Sequence, residues 1–236
     1  MLVFLLFITV LISGSFIFLI GNKRPTMKFL LTFSGSFLIG IVFMGIVPEV
    51  YDKHLPYVGV FVMLGFIIQL ILELISEGAE HGHTHVHSDG EKVSPFLLLF
   101  GVCIHSFLEG FPILSEFGAD IKNQLVLGIV VHNIPISITL MGLFLHYGLS
   151  KVKSFIYLTI FAIMSPIGSI CGKFITNVDQ DKIFTYVMAI VIGIFLHIST
   201  SILFESSENH KYNIKKFITI LCGLILSFGI TQIFKV

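Results

Sequence analysis

Long runs of apolar residues dominate this chain and limit what it can fold into. A helix needs about 20 consecutive, mainly apolar residues to cross the hydrocarbon core of a bilayer. Eight stretches of about this length are separated by short polar segments. They cover Leu2–Ile20, Phe29–Val47, Tyr57–Leu74, Phe96–Leu114, Leu125–Leu145, Phe155–Phe174, Ile183–Phe204 and Ile214–Phe234. Because little sequence remains outside them, we expect an all-α integral membrane protein, with residues 1–236 forming one bundle of eight transmembrane helices.

Composition supports a membrane protein and excludes several other classes. The chain is 55% hydrophobic and 12% charged, whereas ordinary soluble domains contain about 25% charged residues. Its 14 basic and 14 acidic residues cancel, so no bulk charge points to a nucleic-acid partner. Cys103, Cys171 and Cys222 lie in apolar sequence without paired spacing, which argues against a disulfide framework and a thiolate metal site. The abundance of Phe, Ile and Lys favours a bacterial inner membrane.

The distribution of Lys and Arg predicts the orientation of the chain. The loops after the first, third, fifth and seventh predicted spans carry more of these residues than the opposite loops do. Basic residues are enriched in cytoplasmic loops of membrane proteins. We therefore expect these four loops in the cytoplasm and both termini on the opposite side.

The fourth predicted span contains an unusual pair of polar residues, in the sequence "FGVCIHSFLEGFPI". His105 and Glu109 are four residues apart and so lie on one face of a helix, one turn from each other. An ionisable residue inside a membrane costs free energy and by default indicates a functional site. An imidazole nitrogen and a carboxylate oxygen together provide half of a coordination site for a divalent cation such as zinc.

The fifth predicted span supplies a candidate for the other half of the site. It contains "VVHNIPIS", and His132 falls within about one helical turn of the depth of His105 and Glu109 when both helices are counted from the same side. We expect the three side chains to meet around one ion. The alternative is that His105 and Glu109 form a structural pair that holds helices together without metal.

Prolines follow both polar groups. Pro112 and Pro135 are expected to break their helices, because proline has no N–H to bond the carbonyl four residues earlier, here that of Leu108 or Val131. Interrupted helix backbone at membrane depth is common at the binding sites of transporters. We therefore expect freed carbonyl groups near the candidate ion.

A second group of histidines lies in the segment between the third and fourth spans, at about residues 77–93. This segment contains "EGAEHGHTHVHSDGE" and has almost no apolar residue with which to fold. Its four alternating histidines offer neutral imidazoles to zinc, copper or nickel, and disfavour the alternative of a merely solvated loop. They are His81, His83, His85 and His87.

Taken together, these residues resemble the ZIP (Zrt/Irt-like) family of divalent metal transporters. The resemblance rests on "HSFLEG" in the fourth span, "HNIPIS" in the fifth and the His-rich segment after the third. It extends to "GSFLIGIVFMGIVPE" in the second span, "SPIGSICG" in the sixth and "GIFLHIS" in the seventh. It therefore covers nearly the whole chain and implies the eight-helix fold of that family.

The resemblance also indicates which residues hold the ion and where this chain departs from the family. The helix-four pattern of His, Asn, two variable residues, an acid and Gly maps to His105, Ser106, Glu109 and Gly110. The helix-five pattern of His, Glu, a variable residue, Pro, an acid or His, and Gly maps to His132, Asn133, Pro135, Ile136 and Ser137. The departures at three positions where additional ligands are expected, Ser106, Asn133 and Ile136, disfavour a second metal position.

One further departure lies in the seventh span. His197 stands where the family more often has an aromatic residue, and we expect it to be either a ligand on the exit path or a structural hydrogen-bond donor. In the sixth span, small residues such as Gly168 and Gly172, in a G-x-x-x-G spacing, are expected to let helices pack closely.

The function that the resemblance implies is uptake of a divalent cation into the cytoplasm, with zinc preferred and iron and manganese as alternatives. The protein would be a transporter and not an enzyme, with no prosthetic group, and the family often forms homodimers. One alternative is a degenerate ZIP-like sensor or scaffold without flux. Another is an intramembrane zinc hydrolase, which the absence of an H-E-x-x-H motif from the sequence disfavours.

Overall fold

The computed structural model describes residues 2–20, 24–76, 94–114, 119–175, 180–205 and 214–234. These residues are almost entirely helical, with no strand among them. The helices are α1 (Leu2–Ser15), α2 (Ile17–Ile20), α3 (Arg24–Ile41), a π-helical segment (Val42–Ile46), α4 (Val47–Asp52), α5 (Val58–Ser76), α6 (Pro95–Gly110), α7 (Ala119–His146), α8 (Lys151–Ile175), α9 (Gln180–Glu205) and α10 (Ile214–Ile233). The all-α architecture predicted from hydropathy is therefore confirmed.

Each predicted span corresponds to one helical rod. The first is α1 with α2, the second is α3 continued by the π-helical segment and α4, and α5 to α10 form the other six. Seven of the described rods are long and apolar enough to cross a membrane, and α6 is a shorter apolar helix of 16 residues. The protein is thus a multi-pass membrane protein by the length and composition of its helices.

The fourth span is shorter than the sequence predicts. Helix α6 ends at Gly110 and is followed by turn residues up to position 114, so Pro112 lies beyond the helix and not inside it. The Leu108 carbonyl is not left free as predicted, because the N–H of Phe111 donates to it over 3.3 Å. The missing N–H of Pro112 therefore helps to end the helix and opens no gap within it.

The prediction that Pro135 breaks its helix is wrong. Helix α7 runs without interruption through this residue, with at least three turns of helix on each side of it. A proline removes only one backbone hydrogen bond, and long membrane helices tolerate that loss when neighbouring helices hold the flanking turns. Helix α7 can therefore present His132 from a continuous helix.

Small residues bring two pairs of helices into close contact. Helix α6 packs on α8, where a Cβ added to Gly168 or Gly172 would overlap a backbone carbonyl oxygen of Phe107 or Phe111. Helix α5 packs on α9, where a Cβ on Gly193 would overlap another carbonyl oxygen in the same way. The close packing predicted for the glycines of α8 is confirmed, and it fixes the positions of the helices that surround the candidate site.

Helix α7 lies between two hydrophobic clusters and is shared by both. Ile129 belongs to a cluster formed mainly by α3, the π-helical segment and α9, whereas Ile136 belongs to one formed mainly by α1, α6 and α8. His132 lies between these two buried isoleucines in the sequence. The packing therefore carries the middle of α7 through the interior of the bundle.

Candidate metal site

The three side chains predicted to form a site lie together in the interior. The Nε2 atom of His105 is 3.0 Å from Oε1 of Glu109, and Nε2 of His132 is 3.9 Å from the same oxygen. The two imidazole rings are nearly perpendicular, at 81°, with their centroids 6.2 Å apart. Helices α6 and α7 therefore present one carboxylate between two imidazoles, at the matched depth that the sequence predicts.

The site is closed to solvent. Glu109 and His132 are 0% exposed and His105 is 1% exposed. Among the described residues, neither carboxylate oxygen of Glu109 and neither ring nitrogen of His132 has a hydrogen-bond partner. A buried polar atom without a partner costs free energy, so this arrangement is expensive unless a ligand satisfies it.

The donor set fits a divalent cation of the zinc type. One ligand atom from each of the three residues lies within 4.8 Å of the ligand atoms of the other two. Among the described residues, this is the one group of three or more His, Cys, Asp or Glu residues placed to hold a metal ion. Zinc bound to His nitrogen and carboxylate oxygen at about 2.0–2.2 Å needs ligand atoms roughly 3.3 Å apart in a tetrahedron. The three atoms would have to approach one another to reach that geometry, and they would supply three of the four ligands of a tetrahedral zinc ion.

A glutamine that the sequence analysis missed contacts this site. Gln69 of α5 is 0% exposed, and its Oε1 atom is 3.1 Å from Nδ1 of His105. Its signal in the sequence is an amide within an otherwise apolar span, four residues before Glu73. An uncharged polar residue inside an apolar span is a weaker signal than an ionisable one, because its amide is less costly to bury than a charge.

The two auxiliary positions next to the site differ in what they contact. The hydroxyl of Ser106 is 2.8 Å from that of Ser165 in α8, whose hydroxyl also lies 3.1 Å from the Ser106 carbonyl oxygen. Asn133, by contrast, is 1% exposed, and neither atom of its amide has a hydrogen-bond partner among the described residues. The Asn133 amide is therefore able to bind a ligand. The Ser106 hydroxyl is not, because it already pairs with Ser165 of the neighbouring helix.

His197 lies outside this group of three ligands. Its Nε2 atom is 3.3 Å from Oε2 of Glu73 in α5, and its ring contacts Phe66 edge-on with a centroid distance of 4.6 Å. The side chain of Glu73 is 24% exposed, whereas that of His197 is 5% exposed. The pair sits near the end of α5 that leads into residues 77–93, one turn beyond Gln69.

The four histidines predicted to bind metal loosely, at positions 81, 83, 85 and 87, lie outside the described residues. Their expected role remains a prediction from the sequence.

Comparisons with known proteins point to one family. The family model described as ZIP Zinc transporter matches residues 76–231, which includes all of the candidate site except the α5 residues. The protein named zntD from Dictyostelium discoideum is 26% identical over an alignment of 168 residues, which covers 61% of this chain. The chain spans only 24% of the length of zntD. The match to the family model covers well over half of the chain.

Proposed function

Because the chain belongs to the ZIP zinc transporter family, whose members move divalent metal ions across membranes, we propose that it carries zinc into the cytoplasm through one intramembrane site. The ligands are His105, Glu109 and His132. The observation that supports this most directly is the buried group of two imidazoles and a carboxylate, with unsatisfied atoms on Glu109 and His132. A dication supplies what those atoms lack.

The chemistry of this donor set suits an ion in transit. Neutral imidazoles and one carboxylate remove part of the hydration shell of the ion without enclosing it as four protein ligands do in a structural zinc site. Conduction requires binding that is favourable enough for entry and weak enough for release. Iron and manganese accept the same donors and are the alternative substrates.

Neighbouring polar groups extend the site in two directions. The unpartnered amide of Asn133 is an auxiliary ligand beside His132. The pair of Glu73 and His197, where a carboxylate and an imidazole lie 3.3 Å apart, serves the ion on its way to the His-rich segment at about residues 77–93. Ser106 is not assigned a ligand role, because its hydroxyl pairs with α8.

The remaining features of the proposal follow from the sequence. Residues 1–236 act as a single transmembrane transport unit, with both termini outside the cytoplasm and the His-rich segment within it. The membrane is the cell membrane, by composition a bacterial inner membrane, and a homodimer is the assembly that the family resemblance favours. It needs no prosthetic group, since the divalent metal is its substrate.

The test is zinc entry into proteoliposomes that contain a metal-sensitive dye. We expect wild type to conduct, and the variants His105→Ala, Glu109→Ala and His132→Ala to conduct at background level. The matched control is His146→Ala, which removes a histidine from the exposed end of α7 and keeps wild-type flux. Retained elution volume and helical content show that each variant is folded.

A second candidate is a ZIP-like protein that binds metal for sensing or scaffolding and does not transport it. The observation that favours it is the pairing of Ser106 with Ser165. Ser106 stands at a position where the family has a metal ligand, and its hydroxyl is already engaged. The same assay separates the two functions. Zinc binding without entry of zinc, iron or manganese would support the sensor and overturn the transporter.

A further inference from the structure

Gln69 is an expensive residue to bury at its position. It lies in the second half of α5, a span whose neighbouring residues are apolar, and it is 0% exposed. A primary amide transferred from water to an apolar environment costs a few kcal/mol unless it is hydrogen-bonded. A leucine or isoleucine in its place would avoid that cost, so the amide requires a reason specific to this site.

The hydrogen bond to His105 supplies that reason. Oε1 of Gln69 is a carbonyl oxygen and accepts, so Nδ1 of His105 is the atom that donates, over 3.1 Å. An imidazole that carries its proton on Nδ1 has its lone pair on Nε2, the nitrogen that lies 3.0 Å from Glu109 Oε1. The bond therefore selects the tautomer in which the nitrogen on the ion side is the one able to bind metal.

The packing of α5 against α6 keeps this bond in reach. Gly101 of α6 lies one turn before His105, and an added Cβ there would lie 2.9 Å from the Cβ of Ser76 and 3.2 Å from the Leu72 carbonyl oxygen. The two helices thus approach each other closely beside the site. Their separation brings the amide of Gln69 to the far side of the His105 ring.

We propose that Gln69 is a positioning residue for the ion, which holds His105 in the tautomer and orientation that direct Nε2 at the metal. This inference rests on the proposed function, because it assumes that His105 is a ligand. Metal-binding histidines are commonly oriented by an acceptor on the other ring nitrogen, and loss of that acceptor lowers metal affinity by about 10- to 100-fold.

The first test is zinc affinity of the full chain in lipid nanodiscs, measured by competition with a chromophoric zinc chelator. We expect Gln69→Leu to weaken the site by about 10- to 100-fold. Gln69→Glu keeps an acceptor oxygen and is expected to bind zinc within about threefold of wild type. The matched control is Gln124→Leu, since Gln124 is a buried glutamine of α7 whose Oε1 has no hydrogen-bond partner among the described residues.

The second test reads the tautomer directly. Nitrogen NMR of zinc-loaded protein labelled in its histidine rings, with the His105 signals assigned by their loss in His105→Ala, should show Nδ1 protonated and Nε2 bound to the metal in wild type. Gln69→Leu should move the Nδ1 signal toward that of an imidazole N–H without an acceptor. A wild-type ring that binds zinc through Nδ1, or an Nδ1 signal unchanged in Gln69→Leu, would overturn the inference.

These outcomes separate the inference from the function beneath it. If Gln69→Leu binds zinc as tightly as wild type while Glu109→Gln does not, the positioning role is wrong and the metal site stands. If Glu109→Gln also binds as wild type does, the metal site itself is wrong. A Gln69→Leu protein that fails to fold leaves Gln69→Glu and the wild-type tautomer to decide.

Discussion

Replacement of Glu109 by glutamine is the perturbation whose effect the structure defines best. The substitution keeps the size of the side chain and removes its charge. Glu109 is the one carboxylate in the group of three ligands and lies between both imidazoles, at 3.0 Å and 3.9 Å. The variant therefore keeps two neutral ligands and loses the charge that opposes the dication.

The geometry sets the size of the effect. With ligand atoms at most 4.8 Å apart, a central cation lies about 2.8 Å from each, where an effective dielectric of about 20 gives a gross attraction of about 12 kcal/mol between a dication and a carboxylate. Glu109 gives up its contact with His105 to bind the ion, which offsets part of that sum. Breaking a buried charge pair by removing one partner costs about 3–5 kcal/mol, or roughly 150- to 5,000-fold in affinity.

The assay is competition for zinc between the purified protein and a chelator of known affinity. We expect Glu109→Gln to lose affinity at one site by at least about 150-fold, while His146→Ala binds as wild type does. A Glu109→Gln protein that is folded and binds all of its zinc within about threefold of wild type would refute the assignment of Glu109 as a ligand.

Three further predictions concern the surroundings of the site. Gly168→Ala forces α8 away from the Phe107 carbonyl and should lower the free energy of unfolding by about 1–3 kcal/mol, measured as a lower thermal midpoint in detergent. The control Gly229→Ala should leave the midpoint unchanged, because an added Cβ there meets nothing within 4 Å. Ser165→Ala removes the hydroxyl that pairs with Ser106 and should cost about 1 kcal/mol of stability without changing zinc affinity. A large loss of affinity would show that this pair of serines supports the metal site. Replacement of His81, His83, His85 and His87 by serine should reduce the number of weakly bound zinc ions measured by equilibrium dialysis and leave the tight site intact. An unchanged number of weakly bound ions would contradict a metal-binding role for these four histidines.

The sequence was sufficient to predict the bundle and its three central residues. Hydropathy locates membrane helices because the bilayer demands about 20 apolar residues per crossing. Helical rise then converts positions into depth, which is why His132 could be matched to His105 and Glu109 before any packing was known. These inferences need only distances along one helix at a time.

What the sequence left out depends on which helices are neighbours. The bond from Gln69 to His105 requires that α5 pack on α6, and the pairing of Glu73 with His197 requires that α5 pack on α9. No periodicity in one helix indicates its partner. The error at Pro135 has a different cause, since helix continuation through a proline depends on the support that neighbouring helices give.

The central claim is that the transported ion binds between α6 and α7. The most direct measurement is to locate zinc by anomalous diffraction in the protein prepared with zinc and with serine at the four loop histidines. We expect one strong peak about 2.0–2.2 Å from Nε2 of His105, an oxygen of Glu109 and a ring nitrogen of His132. Zinc bound elsewhere in a variant that still transports it, with no peak among these three residues, would show that the ion does not bind between α6 and α7.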